Sequence, residues 1–109
     1  MISVQVLDTS AGGGADGVPV ALERYDADAK SWVHVDGTTT DELGLAELER
    51  VGHDATYRLT FDTGTFYAAN DYNGIFPVVR VVLDARDPAH KLPMILQLSP
   101  YGYSVVLGA

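Results

Sequence analysis

Apolar side chains recur at every second position along much of this chain, and this period limits it to a fold built mostly of strands. The alternation is clear in residues 2–7, 18–25 and 57–61. It places the apolar side chains on one face of an extended strand. Further strands are predicted at 32–35, 45–48, 78–83, 92–98 and 102–107. Strands of this length, separated by turns about every 8–12 residues, are typical of a β-sandwich.

Two segments carry additional local signals. Residues 62–70 begin with Asp62-Thr63, either of which is a capping-type residue, and continue with adjacent aromatics and alanines up to Asn70. This pattern predicts a short helix. Residues 78–83 form an almost unbroken run of valine and leucine interrupted by one arginine. Such a run is typical of a strand that is buried on both faces.

Length, charge and cysteine content exclude several classes of protein. A chain of 109 residues without repeats or linkers predicts a single domain spanning residues 1–109. The absence of cysteine excludes disulfides, zinc–thiolate sites and thiol nucleophiles. A net charge of −8 repels phosphate backbones and anionic lipid, so neither nucleic acid nor a membrane is an expected partner.

The sequence predicts neither a membrane-spanning segment nor a secretory signal. No apolar run approaches the roughly 20 residues that span a bilayer. Residues 1–7 lack the basic region and the cleavage site of a secretory signal. We therefore expect a cytoplasmic protein.

The ionisable residues do not form a known catalytic or metal-binding motif. His34, His53 and His90 lack the spacing of metal ligands, so no metal and no cofactor is expected. Asp8 and Asp62 could form a pair of acid–base carboxylates. Both lie beside turns, where a carboxylate more often accepts backbone hydrogen bonds.

Three blocks of sequence resemble one family over essentially the whole chain. They are 6–9 (Val-Leu-Asp-Thr), 57–64 (Tyr-Arg-Leu-Thr-Phe-Asp-Thr-Gly) and 98–104 (Leu-Ser-Pro-Tyr-Gly-Tyr-Ser). In order and spacing they resemble the transthyretin-like family, whose enzyme branch is 5-hydroxyisourate hydrolase. The resemblance implies a β-sandwich of two four-stranded sheets with one short helix. It also implies a homotetramer, a dimer of dimers with a central channel.

The same resemblance points to the positions that would form the site. The enzyme branch has a histidine, an arginine, a His-Tyr-His segment and a terminal Tyr-Arg-Gly-Ser where this chain has other residues. The residues at those positions are Gln5, Leu45, Lys91-Leu92-Pro93 and Val106-Leu107-Gly108-Ala109. The candidate ligand-binding residues are therefore Gln5, Leu45, Lys91, Pro93, Val106 and Leu107. In this family the region of Tyr101, Gly102, Tyr103 and Ser104 lies at contacts between subunits.

These residue types differ from those that hydrolysis requires. Opening the hydroxyisourate ring needs an activated water, which histidine can supply near neutral pH, and arginines can hold the anionic substrate. Gln5 cannot take a proton at neutral pH. Its amide could instead orient a ligand, or Gln5 could be an ordinary polar residue of a strand. Lys91 could hold a carboxylate or enolate, or could be a solubilising strand residue.

Three functional hypotheses follow. The first is a channel that binds an apolar small molecule in specialised metabolism, and that cyclises or hydrolyses it if it acts as a catalyst. Its ligand would carry a ring or a polyene and one polar or anionic end. The second is a hydroxyisourate hydrolase of urate degradation with machinery rebuilt from residues such as Lys91 and His90. The third is a pseudoenzyme that acts only by assembly.

Overall fold

The computed structural model describes residues 1–49, 55–85 and 92–107. The elements in these segments are β1 (Ile2–Asp8), β2 (Gly13–Gly14), β3 (Pro19–Asp26), β4 (Ser31–Thr39), β5 (Leu45–Leu48), β6 (Ala55–Phe61), α1 (Thr63–Ala69), β7 (Val79–Ala85), β8 (Leu92–Ser99) and β9 (Gly102–Leu107). No helix in these segments is long and apolar enough to cross a membrane.

The strands form two sheets. In the first sheet β1 pairs in parallel with β8, and β9 pairs with the far side of β8. The other side of β1 pairs with β5 and with the two-residue strand β2. The second sheet has the order β4-β3-β6-β7 and is antiparallel throughout. The predicted sandwich with one helix is confirmed, and β2 is an addition to the four longer strands of the first sheet.

The core lies between the two sheets, and the alternating residues of the sequence supply it. In β1 the side chains of Ile2, Val4 and Val6 are buried, and the residues between them are only partly so. In β6 the same alternation buries Tyr57 and Leu59 completely. Removing these side chains from water is the main favourable term in forming the sandwich.

Helix α1 closes one end of the sandwich. The Asp62 carboxylate caps it by accepting hydrogen bonds from the backbone N–H and the hydroxyl of Thr65. The Tyr67 hydroxyl donates to the carbonyl of Ser99 at 2.8 Å, which fixes the helix to the turn after β8. Burial raises the pKa of Tyr67, and the charge of Asp8 raises it further. The predicted short helix is therefore confirmed, and its role is structural.

Strand β7 differs from the prediction for residues 78–83. Val79 is fully buried, but Val82 is 58% exposed. No layer of the described residues covers the outer face of the second sheet, so the prediction that this strand is buried on both faces was wrong. A run of valines indicates that a strand is favoured, but it does not indicate whether a second layer covers the outer face of that strand.

A tight turn before β5 sets how that strand meets β1. The Asp41 carboxylate accepts the backbone N–H groups of Leu43 and Leu45, both at 2.9 Å. Gly44 has a φ of +78°, and its carbonyl accepts the Val6 N–H at 2.8 Å. A Cβ at Gly44 would overlap the carbonyl oxygen of Val6. Glycine is thus required here both for the backbone angle and for the close approach.

We predict that Gly44→Ala lowers the free energy of unfolding by about 3 kcal/mol, because it adds a clash to the strain of a positive φ. Gly17→Ala is the matched control. Gly17 also has a positive φ, of +85°, but a Cβ there would meet no atom within 4 Å. We expect the control to cost about 1 kcal/mol. Urea unfolding measures both, and equal losses would contradict the close approach.

Candidate functional site

The candidate site lies on the side of the first sheet that faces away from the core. We call this surface the outer face, and it consists of the residues that alternate with the buried ones. The described side chains on it are those of Ser3, Gln5, Leu7, Leu45, Glu47, Ile95, Gln97, Ser99, Ser104 and Val106.

The pairing register joins four of these residues into one row across the sheet. Gln5 is opposite Leu45 of β5 on one side and Ile95 of β8 on the other. Ile95 is in turn opposite Val106 of β9. Directly paired side chains lie about 4.5–5.5 Å apart at Cβ. The register therefore brings together Gln5, Leu45 and Val106, although Gln5 and Val106 lie near opposite ends of the sequence.

A shallow groove runs beside this row. Its volume is about 180 Å³, and it is lined by Ser3, Val4, Gln5, Leu45, Met94 and Ile95. Leu45 is 43% exposed and Val106 is 52% exposed. The Gln5 amide donates to the carbonyl of Leu43 at 3.5 Å, a long contact on an exposed surface. A side chain held this weakly can turn toward a ligand.

The remaining candidate ligand-binding residues are placed differently. Leu107 pairs with Met94, whose side chain belongs to the core, so Leu107 shares that face and is not part of the row. It is 57% exposed because it lies at the end of an edge strand. The backbone of Pro93 pairs with Ser3. Lys91 lies outside the described residues.

The other end of the outer face is polar. A depression of about 240 Å³ is lined there by residues of β8, β9 and the end of β1. The Ser104 hydroxyl donates to the Gln97 side-chain oxygen at 3.1 Å, and the Thr9 hydroxyl donates to the Leu98 carbonyl at 2.8 Å. The outer face thus changes from an apolar row to uncharged hydrogen-bonding groups along the strands.

The residues expected at subunit contacts surround the turn between β8 and β9. Tyr101 is 72% exposed. The Tyr103 ring packs edge-on against Phe76, with ring centroids 5.2 Å apart. The Ser99 hydroxyl closes the turn by donating to the Gly102 carbonyl at 3.0 Å, and Ser104 follows on β9. Their role at an interface stays a prediction.

One carboxylate outside the row helps to position β5. Asp36 of β4 accepts the N–H of Glu49 at 2.8 Å, and so ties β4 to the residue just after β5. This hydrogen bond, the N–H of Gly37 and the charge of His34 hold the pKa of Asp36 below its usual value. The carboxylate is therefore ionised at neutral pH and supports the strand that carries Leu45.

Among the other ionisable residues considered above, the described ones, Asp8, Asp62 and His34, do not converge on the outer face. Asp8 accepts the N–H groups of Ser10 and Ala11, so its interpretation as a turn residue is confirmed. His53 and His90 lie outside the described residues. Among residues 1–49, 55–85 and 92–107, no group of three or more metal-ligating side chains could hold a metal ion.

Ile95 and Ser3 are the site residues that the sequence analysis missed. Both lie next to Gln5 in space, and Ile95 also follows Pro93 by two positions. The two-residue period that predicted β8 would have identified Ile95, because residues two apart on a strand share a face.

A larger depression, of about 500 Å³, opens on the second sheet. Small residues such as Ala21, Gly37 and Thr60 line it, which makes it wide and shallow. None of the described positions implied by the family resemblance lies there. The outer face of the first sheet therefore stays the candidate site.

Comparisons with known proteins agree with this fold. The profile of the HIUase/Transthyretin family matches residues 2–108. A probable 5-hydroxyisourate hydrolase of Caenorhabditis elegans is 33% identical over 113 residues, which span 99% of this chain and 81% of the worm protein. The 5-hydroxyisourate hydrolase of Mus musculus is 27% identical over 99% of this chain and 94% of its own length.

A solved structure is similar as well. Sea bream transthyretin in complex with thyroxine superposes with a TM-score of 0.91 at 26% identity, covering 98% of this chain and 93% of that one. Since the family profile spans nearly the whole sequence and the fold agrees, this chain belongs to the HIUase/transthyretin family.

Proposed function

We propose that this chain binds an apolar small molecule on the outer face of the first sheet, and that it transforms the ligand by confinement if it acts as a catalyst. The observation that carries the proposal is the row of Leu45, Gln5, Ile95 and Val106, in which three of four side chains are aliphatic. Sites for apolar ligands combine such a lining with a few polar groups that orient the ligand. Gln5 is the polar group within this row.

The row is poorly suited to hydrolysis of an anionic substrate. General-base catalysis needs a group that accepts a proton near neutral pH, and the side-chain amide of Gln5 does not accept one. Leu45 and Val106 cannot form the paired hydrogen bonds by which arginine holds an anion. We therefore propose a role in specialised metabolism rather than in urate degradation, in the cytoplasmic location that the sequence analysis predicts.

The size of the groove supports a site that is completed by a second copy. A drug-sized ligand needs a pocket of roughly 300–1,000 Å³. The groove on one chain has about 180 Å³ and opens to solvent. Two outer faces placed opposite each other would enclose a volume in that range. The homotetramer implied by the family resemblance provides such an arrangement.

Free strand edges also support assembly. Strand β7 lies at one end of the second sheet and β9 at one end of the first, so each has one edge without a partner among the described strands. β9 has no charged residue, and Val106 and Leu107 are both more than half exposed. An uncharged apolar edge tends to pair with another chain.

A rebuilt hydroxyisourate hydrolase is the second candidate function, because the relatives in worm and mouse carry that name. It would need Lys91 or His90 to supply the base, and the described part of the outer face holds neither a histidine nor a lysine. A pseudoenzyme that acts by assembly alone is the third candidate.

We predict that this protein opens freshly made 5-hydroxyisourate at least about 100-fold more slowly than the mouse hydrolase, because general-base assistance contributes roughly 10²–10⁴ in rate. Loss of the ultraviolet absorbance of the substrate measures both enzymes side by side. A rate within about tenfold of the mouse enzyme would favour the rebuilt hydrolase instead.

We predict that the neutral probe 2-naphthylmethanol at saturation raises the melting temperature by about 5 °C, because binding to the folded state alone stabilises it. Val106→Arg should abolish this shift by placing a charge in the row. Leu107→Arg adds the same charge to the adjacent residue on the other face, so it is the matched control and should keep the shift.

Light scattering reports on assembly in the same samples. The proposal expects both variants to remain tetramers. If Val106→Arg dissociates the protein and 2-naphthylmethanol never shifts the melting temperature of the parent, the row is an interface and the binding function is wrong.

A further inference from the structure

The charge on the outer face determines which charge an apolar ligand can carry there. Among the described residues of this face that lie within strands, Glu47 is the sole ionisable side chain. The other members are aliphatic side chains, hydroxyls and amides. The charge that these described residues place next to the groove is therefore negative.

Glu47 lies at one end of the groove. It pairs directly with Ser3, which lines the groove, so their Cβ atoms are about 4.5–5.5 Å apart. It is also two residues from Leu45 on the same face of β5, a separation of roughly 7 Å along the strand. A carboxylate on a side chain of this length reaches the position of a ligand in the groove.

The carboxylate of Glu47 has no ion-pair partner among the described residues. The ion pair of that part of the chain joins Arg58 to Glu23 on the second sheet, at 2.8 Å. A second copy placed over the outer face would remove water from Glu47. An unpaired carboxylate that loses water is costly, and a cation brought beside it offsets that cost.

An anionic ligand would be repelled by the Glu47 carboxylate. It would lie beside Glu47 without a described cation on the outer face to balance it. The chain as a whole carries a net charge of −8, so its long-range field also disfavours anions and attracts cations.

We propose that the groove takes a flat apolar ligand that bears a protonated amine, and that the ammonium group pairs with the Glu47 carboxylate. This inference rests on the proposed binding function and names the chemical class of its ligand. The ligand thus has a cationic end, in place of the polar or anionic end that the sequence analysis predicted with Gln5 and Lys91 as its partners. Lys91 lies outside the described residues.

The test uses three probes with one ring system: 2-naphthylmethylamine, 2-naphthylmethanol and 2-naphthoic acid. Calorimetric titration of the full-length protein at pH 7 gives their dissociation constants. The amine should bind about five- to tenfold more tightly than the alcohol, and the acid more weakly than the alcohol.

Two variants locate the source of this preference. Glu47→Gln keeps the size of the side chain and removes its charge, so the amine should bind no better than the alcohol, whose own affinity should not change. Asp28→Asn removes one negative charge from the turn between β3 and β4 on the other sheet. It should keep the preference.

The remaining outcomes each contradict a defined part of the account. If the acid binds most tightly, a cation such as Lys91 controls the site and the inference is wrong. If all three probes bind equally, or if Glu47→Gln keeps the preference, the inference is wrong while the binding function stands. If none binds, the binding function itself is wrong.

Discussion

The pairing of β1 with its neighbours determines both the core and the candidate site. Its even-numbered residues Ile2, Val4 and Val6 are buried between the sheets, and Ser3 and Gln5 lie on the outer face. A slip of one residue in this register would exchange the two faces. Burial of three branched side chains makes that exchange costly, so the requirements of the core also place Gln5 in the row.

Backbone contacts at both sides of β1 maintain this register. The Gly44 carbonyl accepts the Val6 N–H, and the Val6 carbonyl accepts the Ala15 N–H, each at 2.8 Å. On the other side, seven residues of β1 pair in parallel with β8. Ile95 is thereby held next to Gln5, and Val106 next to Ile95. The composition of the site is thus a consequence of local turn chemistry at residues 41–44 and of strand pairing.

Much of this fold can be predicted from the sequence, because the two-residue period reports which side chains are buried. The strands, the short helix capped by Asp62 and the turn role of Asp8 follow from such local signals. The exposure of Val82 could not be predicted, since it depends on whether a second layer covers the outer face of the sheet. The placement of Leu107 away from the row likewise depends on register, which the family resemblance alone does not supply. Ile95 was predictable from alternation once Pro93 had been chosen.

The central claim is that the ligand site is completed only when outer faces meet. Sedimentation velocity over a dilution series, with and without 2-naphthylmethanol, tests this most directly. The account predicts that the probe co-sediments with the tetramer alone and moves the midpoint of dissociation to a lower protein concentration, because a ligand favours the state that binds it. Equal binding of the probe to chains that sediment as monomers, with no change in the midpoint, would contradict it.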